Sequence, residues 1–300
     1  MFTTRFFLLC CCSLFLGSCV QDTPFPRSSG NVTDTFDSHR FASKIGTDFE
    51  SMGPEIGALD LPRRIRHIPT GIVLILIDPG DFLMGTPLTE KHRDRDEAQH
   101  HVTISAPYYL GETEVTVGQW VHFMGRGTKE LPANEELPMS GVSWHHAHEF
   151  LHLLNQASDG RWRLPTEAEW EYACRAGTTT PFSFGEDITP EHANYNGQRP
   201  YLGKERGLDR NTPVPVRSLP LNPWGLYEMH GNLWEWCEDL YLYNPDRDPL
   251  PRDPTGKSRV MRGGGFPSRG EQLRCGYRDG YPPNSSGEKY GFRLAKTVTP

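Results

Sequence analysis

Arg163-Leu164-Pro165-Thr166-Glu167-Ala168-Glu169-Trp170-Glu171-Tyr172 is the stretch around which the rest of the chain can be read. Thr166 and Glu169 stand three positions apart, the spacing of a capping box, so a helix opens at this point. Working back, Ser143 caps an earlier helix in which Ala147, Phe150, Leu151 and Leu154 fall at i, i+3, i+4 and i+7 on one apolar face. Beyond Ala176-Gly177 no further helical period is legible, and short aromatic segments alternate with Gly and Pro turns. Upstream, the β-branched run Gly71-Ile72-Val73-Leu74-Ile75-Leu76-Ile77 ends in Asp78-Pro79-Gly80-Asp81, a strand and a turn. A second alternating run, Val102-Thr103-Ile104, leads to Tyr108-Tyr109-Leu110. The pattern is that of an α+β domain held by aromatic packing, with no internal repeat.

The composition agrees. Of 300 residues, 30 are Gly and 26 are Pro, which favours loops over long regular elements. The hydrophobic fraction of 36% and the 7 Trp and 15 Phe supply a core and exclude disorder over most of the length. A formal net charge of −7 offers no basic surface for a nucleic-acid backbone, so no nucleic-acid partner is expected.

The first 18 residues read as a signal peptide: Arg5, an apolar run over residues 6–16 too short to span a bilayer, then Gly17 and Ser18. Leu16-Gly17-Ser18-Cys19 resembles the lipobox of bacterial lipoproteins, which makes Cys19 the expected lipid anchor. Val20 after it leans toward the outer membrane in Gram-negative sorting, and the expected location is a bacterial cell envelope with the domain facing outward. Residues 19–66 are rich in Ser, Thr, Asp, Pro and Gly and read as a flexible tether, leaving 67–298 as the domain. An oxidising compartment permits one disulfide among Cys174, Cys237 and Cys275.

Several clusters invite a chemical reading. His145, His148 and Glu149 share a helix face, but it lies opposite the apolar stripe and reads as solvated rather than metal-binding. Gly263-Gly264-Gly265 lacks the Lys-Ser or Lys-Thr of a phosphate loop. Glu235, between Trp234 and Trp236, is expected against packed core, where an unpaired charge is costly. It calls for either an Arg or a hard cation with backbone carbonyls.

Taken in order, several further strings join that capped helix. They are Pro79-Gly80-Asp81-Phe82-Leu83-Met84-Gly85-Thr86, Glu114-Val115-Thr116, Gly141-Val142-Ser143-Trp144, Asn222-Pro223-Trp224-Gly225-Leu226-Tyr227, Gly231-Asn232-Leu233-Trp234-Glu235-Trp236, Arg262-Gly263-Gly264-Gly265-Phe266 and Gly291-Phe292-Arg293. The series resembles the formylglycine-generating enzyme family, also called the sulfatase-modifying factor family, over about residues 71–296. The resemblance implies a C-type-lectin-like α+β fold poor in regular structure. It also implies a copper(I) ion on two cysteines that oxidises a substrate cysteine with oxygen. Here those positions fall on Ser268 and Gly270, and Gly265 stands where the family has an active-site serine, so no catalytic residue is assigned and copper is not expected.

The resemblance further implies calcium at Glu235 with the carbonyls of His230, Gly231 and Leu233. A second site at Asn194, with the carbonyls of Tyr195 and Leu208, has Arg206 where a ligating Asp belongs, so that site is expected to be lost or replaced by an Asn194–Arg206 contact. A disulfide from Cys174 to Cys275, leaving Cys237 free, is likewise implied. Two functional classes follow: a degenerate module binding a protein, peptide or glycan, or an oxidoreductase with a different ligand set. Loss of both thiols favours the first.

Overall fold

The computed structural model describes residues 38–125, 133–203, 206–242 and 257–299. Its elements, in order, are α1 (Ser38–Ile45), β1 (Phe49–Ser51), β2 (Arg64–His67), β3 (Val73–Ile77), β4 (Gly80–Met84), β5 (His100–Ile104) and β6 (Tyr108–Gly111). They continue with α2 (Val117–Met124), α3 (Trp144–Gln156), β7 (Trp162–Arg163), α4 (Glu167–Arg175), β8 (Trp234–Leu240), β9 (Arg259–Arg262), β10 (Asp279–Tyr281), β11 (Tyr290–Gly291) and β12 (Ala295–Thr297). A short 3₁₀ turn, Gly270–Leu273, lies between β9 and β10.

Six strands form one sheet in the order β1-β2-β3-β6-β12-β7, four form another in the order β10-β9-β8-β11, and β4 pairs with β5 alone. The apolar run of β3 is buried at every position because β2 and β6 flank it and core lies on both faces. The C-terminal strand β12 lies antiparallel between β6 and β7, so the end of the chain closes the sheet that its beginning opens. The expected α+β class, with short and irregular elements, is what the structure shows.

Local chemistry sets the helix starts. In α4 the Thr166 hydroxyl accepts from Glu169 N–H while the Glu169 carboxylate accepts from Thr166 N–H, as its sequence spacing requires. In α3, Ser143 pairs with the ring of His146 in the same reciprocal way, and Ala147, Phe150, Leu151 and Leu154 form the buried face. The sequence reading missed α2, which Thr116 and Gln119 open by a third such box. Its eight residues are too few to show a period.

The tether boundary needs correction. Residues 38–66 were assigned to a linker, yet they hold α1, β1 and most of β2, and β1 pairs with β2 through Phe49–His67, Glu50–Arg66 and Ser51–Ile65. Ile45, Phe49, Leu61 and Ile65 lie in the main core. Phe49 packs on His67 and Trp162, and the Lys296 ammonium sits over both the Phe49 and Trp162 rings. The polar composition misled because this is an edge, where alternate residues face water. Residues 1–37, with the signal peptide and Cys19, lie outside the described residues. No helix among those described is long and apolar enough to cross a membrane.

Phe49→Ala is therefore expected to cost about 3–5 kcal/mol in chemical denaturation, the range for a buried phenylalanine. A residue in a free tether would give no change.

Candidate functional site

The segment 262–275 carries the family positions, and its backbone decides what can stand there. Gly263 and Gly264 have φ of 89° and 73°, left-handed values that suit glycine. After this turn Gly265 N–H donates to Ser268 Oγ at 3.0 Å and Ser268 N–H donates to the Gly265 carbonyl at 2.8 Å, so the serine hydroxyl is a buried turn lock. Gly270 lies against the neighbouring loop: a Cβ there would stand 2.5 Å from the Tyr201 backbone nitrogen and 2.9 Å from its Cα. Neither atom can yield as a flexible side chain would. A copper ion on residues 268 and 270 does not fit, since one position offers a hard hydroxyl and the other has no room for any side chain.

Glu235 has the Arg partner rather than the cation. Arg293 donates from Nε to Oε2 at 2.6 Å and from Nη2 to Oε1 at 2.7 Å, and Trp170 Nε1 donates to Oε2 at 2.8 Å, with both charged side chains fully buried. Both carboxylate oxygens and the whole charge are engaged, so calcium does not fit on Glu235 in this arrangement. Next to it, Glu114 accepts from Asn232 Nδ2 and Leu233 N–H; burial, then the charges of Glu228 and Glu235, push its carboxyl well above the usual range. Burial likewise pushes Glu228 up to about 7.

The Asn194–Arg206 contact gives way to a different arrangement. Asn194 Nδ2 donates to the Thr212 carbonyl at 2.9 Å and to Asn232 Oδ1 at 3.1 Å, while Asn194 Oδ1 is buried without a hydrogen-bond partner and Arg206 is exposed. On the histidine face of α3, His145 and Glu149 are exposed, while His148 packs tilted against Trp144 and meets Glu238 at 3.1 Å; His146 caps the helix.

The cysteine pairing is also corrected. Cys174 and Cys275 are free thiols, as is Cys237, although Cys174 and Cys275 are brought to 3.5 Å, sulfur to sulfur. Cys174 Sγ lies 3.7 Å from the Met229 carbonyl and 3.8 Å from His230 Nε2, and all three side chains are buried. Burial opposes ionisation of Cys275, but Cys174, His230 and Arg175 outweigh it and bring that thiol well below its usual range. His230 as a neighbour of both cysteines was missed, because 44 and more residues separate these positions and no local spacing links them.

Sequence reasoning equally missed a buried ionic layer beneath this segment. Glu171 accepts from Arg175 Nε at 2.9 Å and from Gly85 N–H at 2.8 Å, and it pairs with Arg262, which also donates to the Tyr277 carbonyl. Burial would raise the Glu171 carboxyl, yet Arg262 and Arg175 overcome it and hold it low. Arg274 binds Glu97 with both terminal nitrogens and reaches Glu90 and the His92 carbonyl. A groove of about 710 Å³ is lined by Thr86, Leu88, Arg93, Arg95 and Gln99 among others, with Leu88 87% exposed. Tyr201 ties the two regions together, donating from its hydroxyl to the Lys91 carbonyl while its backbone covers Gly270.

Residues 64–298 match the sulfatase-modifying factor enzyme 1-like domain. The chain belongs to this family. The match begins within β2, while the folded domain includes β1 ahead of it. Among relatives of the sulfatase-modifying factor domain, the serine/threonine-protein kinase pkn1 of Chlamydia caviae is 30% identical over 78% of this chain. This chain spans 39% of that protein's length. The formylglycine-generating enzyme of Mus musculus is 32% identical over 67% of the chain and 54% of the enzyme. The chaperone protein LppX of Paenibacillus barcinonensis is 26% identical over 75% of the chain and 89% of LppX. PvdO from Pseudomonas aeruginosa shares the fold with a TM-score of 0.67 at 25% identity, over 81% of this chain and 99% of PvdO.

Two outcomes are expected. Gly270→Ala, the smallest side chain, should cost about 1–3 kcal/mol by overpacking against Tyr201, read as a lower denaturation midpoint. Stability supplied by Glu171 is complete above the ordinary carboxylate range and is lost as pH falls through its lowered folded value. The deficit of Glu171→Gln should therefore be full at neutral pH and shrink in acid, measured by denaturant titration across pH.

Proposed function

We propose that this protein is a cell-envelope lipoprotein whose sulfatase-modifying factor domain binds a peptide segment of another protein and does not oxidise cysteine with copper. The observation that carries this reading is the closed family site: Ser268 is spent on its own turn and the Tyr201 backbone excludes a side chain at 270. The groove lined by Thr86, Leu88, Arg93, Arg95 and Gln99 supplies what an extended peptide needs. Exposed Leu88 offers apolar contact, and Arg95 and Gln99 offer donors for carbonyls and carboxylates. A relative named a chaperone, matched over most of its own length, supports handling of protein rather than a small molecule. The kinase name belongs to proteins of which this chain spans only about two fifths, and no phosphate loop accompanies the Gly263-Gly264-Gly265 turn. Lipid on Cys19 would place the groove at a membrane surface facing outward, with outer-membrane sorting after Val20.

The full chain, loaded with copper(I) and given a cysteine-containing peptide, is expected to consume no oxygen above background. It should bind members of an extended-peptide array, with Leu88→Asp and Arg95→Glu each weakening binding at least tenfold. Oxygen uptake linked to peptide oxidation would establish the oxidoreductase instead, and binding confined to a glycan array would reject the peptide. A palmitate analogue should label the chain in cells, and Cys19→Ala should abolish the label.

A further inference from the structure

Cys174, His230 and Cys275 come from three separate parts of the chain, the last turn of α4, the turn before β8 and the residues after the 3₁₀ turn. Their ligand atoms all lie within 4.8 Å of one another and their side chains are buried; among the described residues this is the one such convergence of His, Cys and carboxylate groups. From these contacts we propose that the three residues hold a single zinc ion. The site would be structural, tying α4 to the segment that closes the family's copper position.

Three features of the pocket support this. The sulfurs are 3.5 Å apart, near the ~3.7 Å that two thiolates take on a tetrahedral zinc with Zn–S of about 2.3 Å. His230 has its ring held from behind: Nδ1 lies 2.7 Å from the Leu273 carbonyl, which fixes the proton on Nδ1 and makes Nε2, the ring nitrogen nearer Cys174, the acceptor, a lone pair that takes the Ser183 N–H when no metal is bound. Such a backbone carbonyl behind the ring is the usual support of a metal-bound histidine. Finally, the rings of Phe182 and Phe184 pack at 5.6 Å from the His230 ring and keep the pocket apolar, where only a neutral assembly is tolerated.

The charge count selects the metal. Zinc enters as a dication, the two thiols give up their protons to solvent, and with a neutral imidazole the loaded site carries no net charge. Copper(I) on the same ligands would leave one negative charge. At Nε2 the ion must compete with Ser183, whose N–H lies at 3.1 Å and Oγ at 2.9 Å. The serine hydroxyl is thereby the nearest candidate for a fourth, oxygen ligand. This site is separate from positions 268 and 270 and does not depend on the peptide-binding reading.

The test uses the full chain purified without chelator and with thiols protected. Elemental analysis should find one zinc per chain, falling to none in Cys174→Ser and Cys275→Ser and staying at one in Cys237→Ser, whose thiol is buried elsewhere. Should the serine variants fail to fold, the wild-type protein still decides the matter. Cobalt(II) exchanged for zinc should give a thiolate-to-cobalt charge-transfer band and intense tetrahedral visible bands, and two thiols should resist alkylation until the metal is removed. A Cys174–Cys275 disulfide found by non-reducing peptide mapping of protein prepared in this way would overturn the proposal. So would metal-free thiols, or copper(I) bound in place of zinc.

Discussion

The Arg293–Glu235 pair is the joint on which the two large sheets depend. Arg293 stands just before β12 and Glu235 lies in β8, so the pair links the six-stranded sheet to the four-stranded one. The same guanidinium donates to the carbonyls of Gly111 at the end of β6 and Tyr227 in the loop before β8, and Trp170 of α4 closes the arrangement on Glu235. Charges this deeply buried gain little over apolar packing when paired, but removing one partner strands the other at several kcal/mol. The fold therefore tolerates neither residue alone, and the carboxylate that could have served a cation is held by the protein itself.

What was legible in the sequence was local. The capping boxes at Thr166 and Ser143 span three residues, and the apolar face of α3 repeats within one helix, so both could be read directly. Glu235 was seen to need a partner, but the choice between Arg293 and a metal lay 58 residues away and only the folded chain could make it. Residues 38–66 failed for a different reason: Arg64-Ile65-Arg66-His67 alternates like a strand, but in a polar stretch its period was too short to stand out. The family resemblance located the fold correctly. It could not say that the backbone of Tyr201 would press on Gly270, a contact between segments about 70 residues apart.

That contact separates ancestry of fold from chemistry. A serine at 268 offers no thiolate but still carries a side chain; the loop packed against Gly270 leaves no room for a side chain at all. Position 270 is the more tightly closed of the two, because any side chain there requires the loop to move. Tyr201 is further fixed by its hydroxyl on the Lys91 carbonyl and by a T-shaped contact with Phe182. Phe182 in turn packs on His230, so the loop that closes one thiol position is built on the residues that bring Cys174 and Cys275 together.

The wider constraint is the supply of hydrogen-bond donors. A chain in which about a fifth of the residues are Gly or Pro buries many carbonyls that no helix or sheet can satisfy, and each such group is costly if left alone. Guanidinium groups meet that need repeatedly. Arg175 donates to Gly85, Arg262 to Tyr277, Arg274 to His92, Arg210 to Pro190 and Arg293 to Gly111, each on a backbone oxygen. A planar fork can reach two or three loop oxygens at once, which an ammonium cannot. Four of these guanidiniums also hold a buried glutamate: Glu171 for Arg175 and Arg262, Glu97 for Arg274, Glu235 for Arg293. The carboxylates thus follow from the loops: irregular backbone demands donors, donors that reach far enough carry charge, and the charge demands an acid beside it.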